Sequence, residues 1–197
     1  GLTRTLAIGT ATSLAIDAIP GGVLGCGTTI NADQRGNLRP QNGSCEIGAF
    51  EPKREIVGTG TAPSCAFATL QSAITNSELV SFNCPPNTTI TFASTITPAH
   101  VVALDGSGQS VTLSGNNSVR HFQMNSGIPL SLWGMTLTGG NAASEGGAIR
   151  ATGGLAIFNS TLSNNTAPGG GGAVYVQGQS PLTVFNSTFS GDRKSTR

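Results

Sequence analysis

Charge is scarce in this 197-residue sequence. Charged residues make up 10% of it, against about 25% in an average domain. The formal net charge is +1. Without a basic face there is no electrostatic case for nucleic acid or an anionic membrane. Apolar runs are short too, and none reaches the ~18 residues that span a bilayer as a helix. Residues 2–19 are broken by Arg4 and Asp17 and lack a basic segment followed by an apolar block. No signal peptide is visible there, and the chain reads as one that starts mid-domain. Acids are rare where chemistry would need them: between Ile90 and Gly191 there are just Asp105 and Glu145.

Metal and redox spacings are missing as well. The four cysteines are Cys26, Cys45, Cys65 and Cys84; the first two are 19 positions apart, and so are the last two. That is too wide for a C-x-x-C pattern, and His100 and His121 do not complete a metal set. Disulfides Cys26–Cys45 and Cys65–Cys84 are the preferred reading. Four cysteines allow three connectivities, and free buried thiols are the alternative. If formed, the bridges imply an oxidising compartment and an exported protein.

What the sequence has is a repeat. Residues 130–139 (LSLWGMTLTG) align with residues 155–164 (LAIFNSTLSN) and residues 182–191 (LTVFNSTFSG), at offsets of 25 and 27. A second marker recurs beside it, Gly146-Gly-Ala-Ile149 and Gly171-Gly-Ala-Val174, again 25 apart. Repeats of this length are single units that bury their apolar faces by stacking on neighbours. Each copy alternates: Leu130, Leu132 and Leu137; Leu155, Ile157 and Leu162; Leu182, Val184 and Phe189. Period-2 alternation over so few residues predicts strands. The phase shifts near Trp133, Phe158 and Phe185, which predicts a corner between two short strands. The Gly-rich segments 139–147 and 164–172 read as loops leading to a third strand.

Three short strands per coil predict an all-β chain, a right-handed single-stranded parallel β-helix. Trp133, Phe158 and Phe185 would form one ladder, and Leu132, Ile157 and Val184 another. Asn159 and Asn186 would stack as an amide ladder. An antiparallel sandwich is the alternative, and regular self-similarity argues against it.

Residues 1–51 carry a different signal. Ser13-Leu-Ala-Ile-Asp17 is followed by Asp33-Gln-Arg-Gly36, Arg39-Pro40 and Cys45-Glu-Ile-Gly-Ala-Phe-Glu51. Asp33, Arg35 and Arg39 read structurally as an Asp–Arg pairing that pins a loop; a catalytic carboxylate is the alternative. This segment resembles the choice-of-anchor Q module of bacterial surface proteins, with Glu46 in place of the usual Asp. In that family the module ends a right-handed β-helix domain. Here it comes first, which predicts the tail of one β-helix unit followed by the head of another, and a fragment of a longer protein.

Residues 52–62 concentrate charge and then Gly/Thr, and read as a linker. Residues 63–191 read as the β-helix. Phe67, Leu70, Ala73 and Ile74 share a helical face, predicting a capping helix over 64–76 with Ser64 as N-cap. Such a helix would cover the edge of the first coil. Ala68-Thr-Leu-Gln-Ser-Ala-Ile74, Ile90-Thr-Phe92 and Leu104-Asp-Gly106 look like the opening of right-handed β-helix proteins of the polymorphic outer-membrane-protein type. About four or five coils are expected. Residues 192–197 break the pattern with four charges in six and read as an artefactual tail.

The β-helix is a familiar scaffold for polysaccharide lyases and hydrolases, so enzyme chemistry is the first rival. Hydrolases need two carboxylates about 5–10 Å apart. Lyases need a base, usually with a cation held by acids. Asp105, in Asp-Gly-Ser-Gly, reads as a turn cap. Glu145, before Gly-Gly, reads as a solvated loop tip. Arg120-His121 reads as an exposed pair on a strand edge. Only a close cluster of Asp105, Arg120, His121 and Glu145 would revive the enzyme reading. A second rival is an ice-binding face of aligned Thr-x-Thr. Thr89-x-Thr91, Thr95-x-Thr97 and Thr136-x-Thr138 are present, but they do not recur at one period in the sequence, and later copies read Thr-x-Ser. Asn159-Ser-Thr161 and Asn186-Ser-Thr188 match glycosylation triplets and are better read as ladder positions.

Resemblance and missing catalytic groups together imply a bacterial cell-surface or extracellular protein, non-catalytic in this segment. Structural display or adhesion is expected, with an extracellular glycan or host-surface ligand as partner and no cofactor or metal. A last coil left uncovered after Gly191 is expected to associate end to end with another copy.

Overall fold

The computed structural model describes residues 18–33, 38–40, 43–45 and 52–194. In chain order the strands are β1 (Ile19–Pro20), β2 (Ser44–Cys45), β3 (Arg54–Val57), β4 (Leu79–Phe82), β5 (Thr89–Thr91) and β6 (Val102–Asp105). They continue as β7 (Thr112–Ser114), β8 (Phe122–Met124), β9 (Leu130–Trp133), β10 (Thr136–Thr138), β11 (Ile149–Ala151) and β12 (Leu155–Phe158). The last are β13 (Thr161–Ser163), β14 (Thr166–Ala167), β15 (Val174–Val176), β16 (Leu182–Phe185), β17 (Thr188–Ser190) and β18 (Arg193–Lys194). One α-helix, α1 (Phe67–Asn76), lies between β3 and β4.

β1 and β2 form a separate antiparallel pair; the sheets from β3 onward are stacks of equivalent strands from successive coils. One is six-stranded, β3-β4-β6-β9-β12-β16; one is five-stranded, β5-β7-β10-β13-β17; one is three-stranded, β8-β11-β15. Every pairing in the three is parallel. Strands this short cannot be stable as separate hairpins. Their stability comes from burying alternate side chains against the next coil. Val80, Leu104, Leu132, Ile157 and Val184 share one inward column, and the first four are fully buried. Burying a Leu or Ile of this kind contributes roughly 1.5–3 kcal/mol.

Corners have their own chemistry. Asn159 and Asn186 take positive φ, 48° and 45°, and Gly134 takes 59° at the equivalent place. Asn tolerates this left-handed conformation and Gly adopts it freely, so the corner recurs with either residue. The Gly-Gly-Ala marker has a packing cause. Gly147 donates to the Gly172 carbonyl at 2.8 Å, and a Cβ on Gly147 would stand 2.3 Å from that oxygen. Only glycine lets the two coils approach there.

The six-stranded sheet means more rungs than the four or five coils expected. The extra one is β3, which falls in the stretch read as a linker. Val57 is fully buried on it, and that apolar contact outweighs the local charge. The capping helix starts at Phe67, not Ser64. A 3-10 turn, Ala62–Ser64, precedes it, and Ser64 Oγ accepts the Thr59 N–H at 2.8 Å and donates to the Thr61 carbonyl at 2.6 Å. The helix buries Leu70, Ala73 and Ile74, and Phe67 packs on Phe92 with ring centroids 5.1 Å apart.

At the other end, Asp192 continues the column of Asn165 and Arg193–Lys194 pair in register with Thr166–Ala167. These three residues, read as part of a tail, therefore extend the stack; Asp192 Oδ1 accepts from the Asn165 backbone and side-chain N–H groups at 2.8 and 2.9 Å. Residues 195–197 lie outside the described residues. Both disulfides are formed, Cys26–Cys45 and Cys65–Cys84.

Candidate functional site

The three-stranded sheet turns one row of polar side chains outward. Gln123, Arg150 and Tyr175 share a register position. Alternation puts Ile149 and Ala151 inside, fully buried, so Arg150 between them must face out. Arg120 stands beside the row. Its Nη1 donates to Gln123 Oε1 at 2.6 Å, its Nε to the Gly146 carbonyl at 2.9 Å and its Nη2 to the Glu145 carbonyl at 2.7 Å. Burial, and then repulsion from Arg150, push its guanidinium pKa below the usual value, while Glu145 opposes the shift. Arg150 Nη2 donates to Gln177 Oε1 at 2.7 Å. Arg150 Nε lies 3.6 Å from Glu145 Oε2, an ion pair too long for a hydrogen bond. The loop backbone at Gly170 runs against the Tyr175 ring. Together these groups offer charged donors, an amide, a carboxylate and one ring on a half-exposed surface. Such a set can hydrogen-bond hydroxyls and stack on a sugar ring.

Of the four residues that an enzyme would have needed together, two meet. Arg120 and Glu145 are neighbours. Asp105 ends β6, on a different sheet, where Oδ1 accepts the Ser107 N–H at 2.9 Å and caps a turn. His121 is not an exposed partner of Arg120: it is fully buried. Its ring meets Phe92 edge-on at 4.9 Å, and Nε2 lies 3.1 Å from the Leu113 carbonyl oxygen. Alternation shifts here, with His121 and Phe122 N–H groups both donating to the Ala148 carbonyl, so both side chains fall inside. Burial pushes the His121 pKa down to about 4. Glu145 is paired with Arg150, with about a third of its side chain exposed (34%), so it is not a free loop tip. Among the described residues no group of three His, Cys, Asp or Glu side chains stands ready to hold a metal.

Trp133, Phe158 and Phe185 occupy one register position. Trp133 and Phe158 stack with centroids 4.0 Å apart and planes 14° apart. Asn186 Nδ2 donates to Asn159 Oδ1 at 2.8 Å, so these amides bond along the stack. Asp33 is buried and Arg39 half-buried; Arg35 lies outside the described residues.

The threonine pairs align where the sequence offsets did not. Thr89, Thr112, Thr136, Thr161 and Thr188 fall in one column of the five-stranded sheet. Coil lengths vary from 23 to 27 residues across it, which hid the column and left Thr112-x-Ser114 unnoticed. Thr95-x-Thr97 belongs elsewhere, since Ile96 bridges to Phe122 beside the three-stranded sheet. The outward row of Gln123, Arg150 and Tyr175 was also unmarked. Its signal was the residue that follows each Gly-Gly-Ala-Ile/Val marker.

One comparison with known proteins bears on this geometry. The Chlamydia polymorphic membrane protein repeat matches residues 159–177. That segment runs from the Asn159 corner through β13 and β14 to the marker and β15, most of one coil. No curated protein and no solved structure matches the chain. The repeat match and the parallel stack fit a β-helix of the polymorphic membrane protein type and point to a cell-surface or outer-membrane protein. Among the described residues no helix is long and apolar enough to cross a membrane.

Proposed function

We propose that this chain is a rigid, non-catalytic display and adhesion module of a bacterial cell surface that binds extracellular glycan. The observation that supports the reading is the outward row of Gln123, Arg150 and Tyr175, flanked by Arg120 and Glu145. Solenoids commonly bind along such extended surfaces. The residues 1–51 act as a choice-of-anchor Q-like module in this reading. The rival, polysaccharide cleavage, is disfavoured by the separation of Asp105 from Glu145 and by the burial of His121, the nearest candidate base.

The test is a glycan array run beside a polysaccharide-cleavage assay with and without Ca²⁺. Binding without turnover, lost in Tyr175→Ala and Arg150→Ala, is the expected result. Calcium-dependent cleavage would overturn the proposal in favour of a lyase. Binding untouched by both substitutions would move the ligand off this face.

A further inference from the structure

The five-stranded sheet presents a second surface, built on another principle. Its first outward column is Thr at every rung: Thr89, Thr112, Thr136, Thr161 and Thr188. Its second outward column is Thr91, Ser114, Thr138, Ser163 and Ser190. All ten are exposed or half-exposed. The residues between the columns point inward, and Ile90, Leu113, Leu137 and Leu162 are at most 1% exposed. The face is thus backed by packed core at four of five rungs. None of the ten positions holds a charge or a ring.

In-register parallel stacking repeats each hydroxyl about every 4.8 Å along a column, and the two columns lie roughly 6.6 Å apart along the strands. β-branched Thr is stiff at χ1, so hydroxyl and methyl hold fixed directions. Ser163 Oγ donates to Thr138 Oγ1 at 3.2 Å, tying neighbouring rungs together. A site for a small molecule gathers a few convergent groups in a concavity. These hydroxyls converge on nothing. In register they form a regular two-dimensional array, and its natural complement is another lattice. A crystalline polysaccharide would offer sugar planes that call for aromatic rings, and the columns have none. A water lattice asks for uncharged groups that donate and accept equally, which hydroxyls do.

We propose that this face binds the surface of ice. The sequence argued against it because the Thr-x-Thr spacing is irregular; the structure absorbs that irregularity in loops and aligns the columns.

The experiment grows ice slowly from a solution of fluorescently labelled protein and measures its partition into the solid. Circular dichroism first establishes that each protein is folded. Wild type should enter the ice. Thr136→Lys with Thr161→Lys should lose partition, while Thr183→Lys, outward on β16, should keep it. Ser114→Thr with Ser163→Thr restores the missing methyls and should raise partition, which guards against loss by misfolding alone. Exclusion of folded wild type from ice would overturn the proposal. So would retention on microcrystalline chitin or cellulose without entry into ice. Exclusion from ice does not touch the glycan row on the three-stranded sheet.

Discussion

His121 shows what burial does to a single titratable group. The fold holds its ring among Phe92, Phe122 and the Leu113 carbonyl, and lowers its pKa from 6.5 to about 4. Between these values the unfolded chain takes up a proton that the folded chain refuses. Stability therefore falls as pH drops from about 6.5 toward 4, and the full window is worth on the order of 3 kcal/mol. Urea unfolding at about pH 7 and about pH 5 stays above most of the carboxylate range and reads this term directly. The midpoint should fall at the lower pH in wild type. His121→Leu should flatten the dependence. Equal slopes in the two proteins would assign the pH response to other groups. At this scale the sequence misled: beside Arg120, His121 reads as exposed, because a local break in alternation leaves no mark in residue type.

Elements are where the sequence was most legible. Leu130, Leu155 and Leu182 announced equivalent strands because each coil repeats the same burial problem, and the strands stack in that register. The early coils were less legible. β3 hid behind Arg54 and Glu55, and β5 and β7 are three-residue strands set at unequal intervals. The polar row on β8, β11 and β15, signalled only by the residue after each Gly-Gly-Ala-Ile/Val marker, was hard to read for a different reason. It depends on which residues become neighbours across coils, and that follows from register rather than from local pattern. The capping helix is an element with a covalent tether. Cys65 precedes it, and Cys84 follows β4. Closing a loop of about this length contributes about 3 kcal/mol in the chain-entropy model. The double variant Cys65→Ser/Cys84→Ser should lower stability by about that amount, and added reductant should then do nothing further at that bridge. A melting temperature unchanged in the variant would show that helix packing through Leu70 and Ile74 is sufficient alone.

At the scale of the whole stack, from β3 to β18, parallel pairing makes the solenoid quasi-one-dimensional. Each coil touches its two neighbours, so stability is close to a sum of coil terms and interface terms. An antiparallel sandwich would instead lose its core if any strand pair were removed. The register gives a clean way to separate the two behaviours. Trp133 aligns with Phe158 and Thr136 with Thr161, so deleting residues 134–158 joins Trp133 to Asn159 with every column continuous. The shortened chain should fold and show a β-rich circular dichroism spectrum. It should unfold cooperatively, with a denaturant slope reduced in proportion to the buried surface removed. Deleting residues 134–145 instead removes β10 alone, opens a gap in the five-stranded sheet and leaves only Gly146, Gly147 and Ala148 between β9 and β11, and should abolish the transition. If both deletions fail alike, the coils are not interchangeable units, and the repeat is a feature of sequence alone.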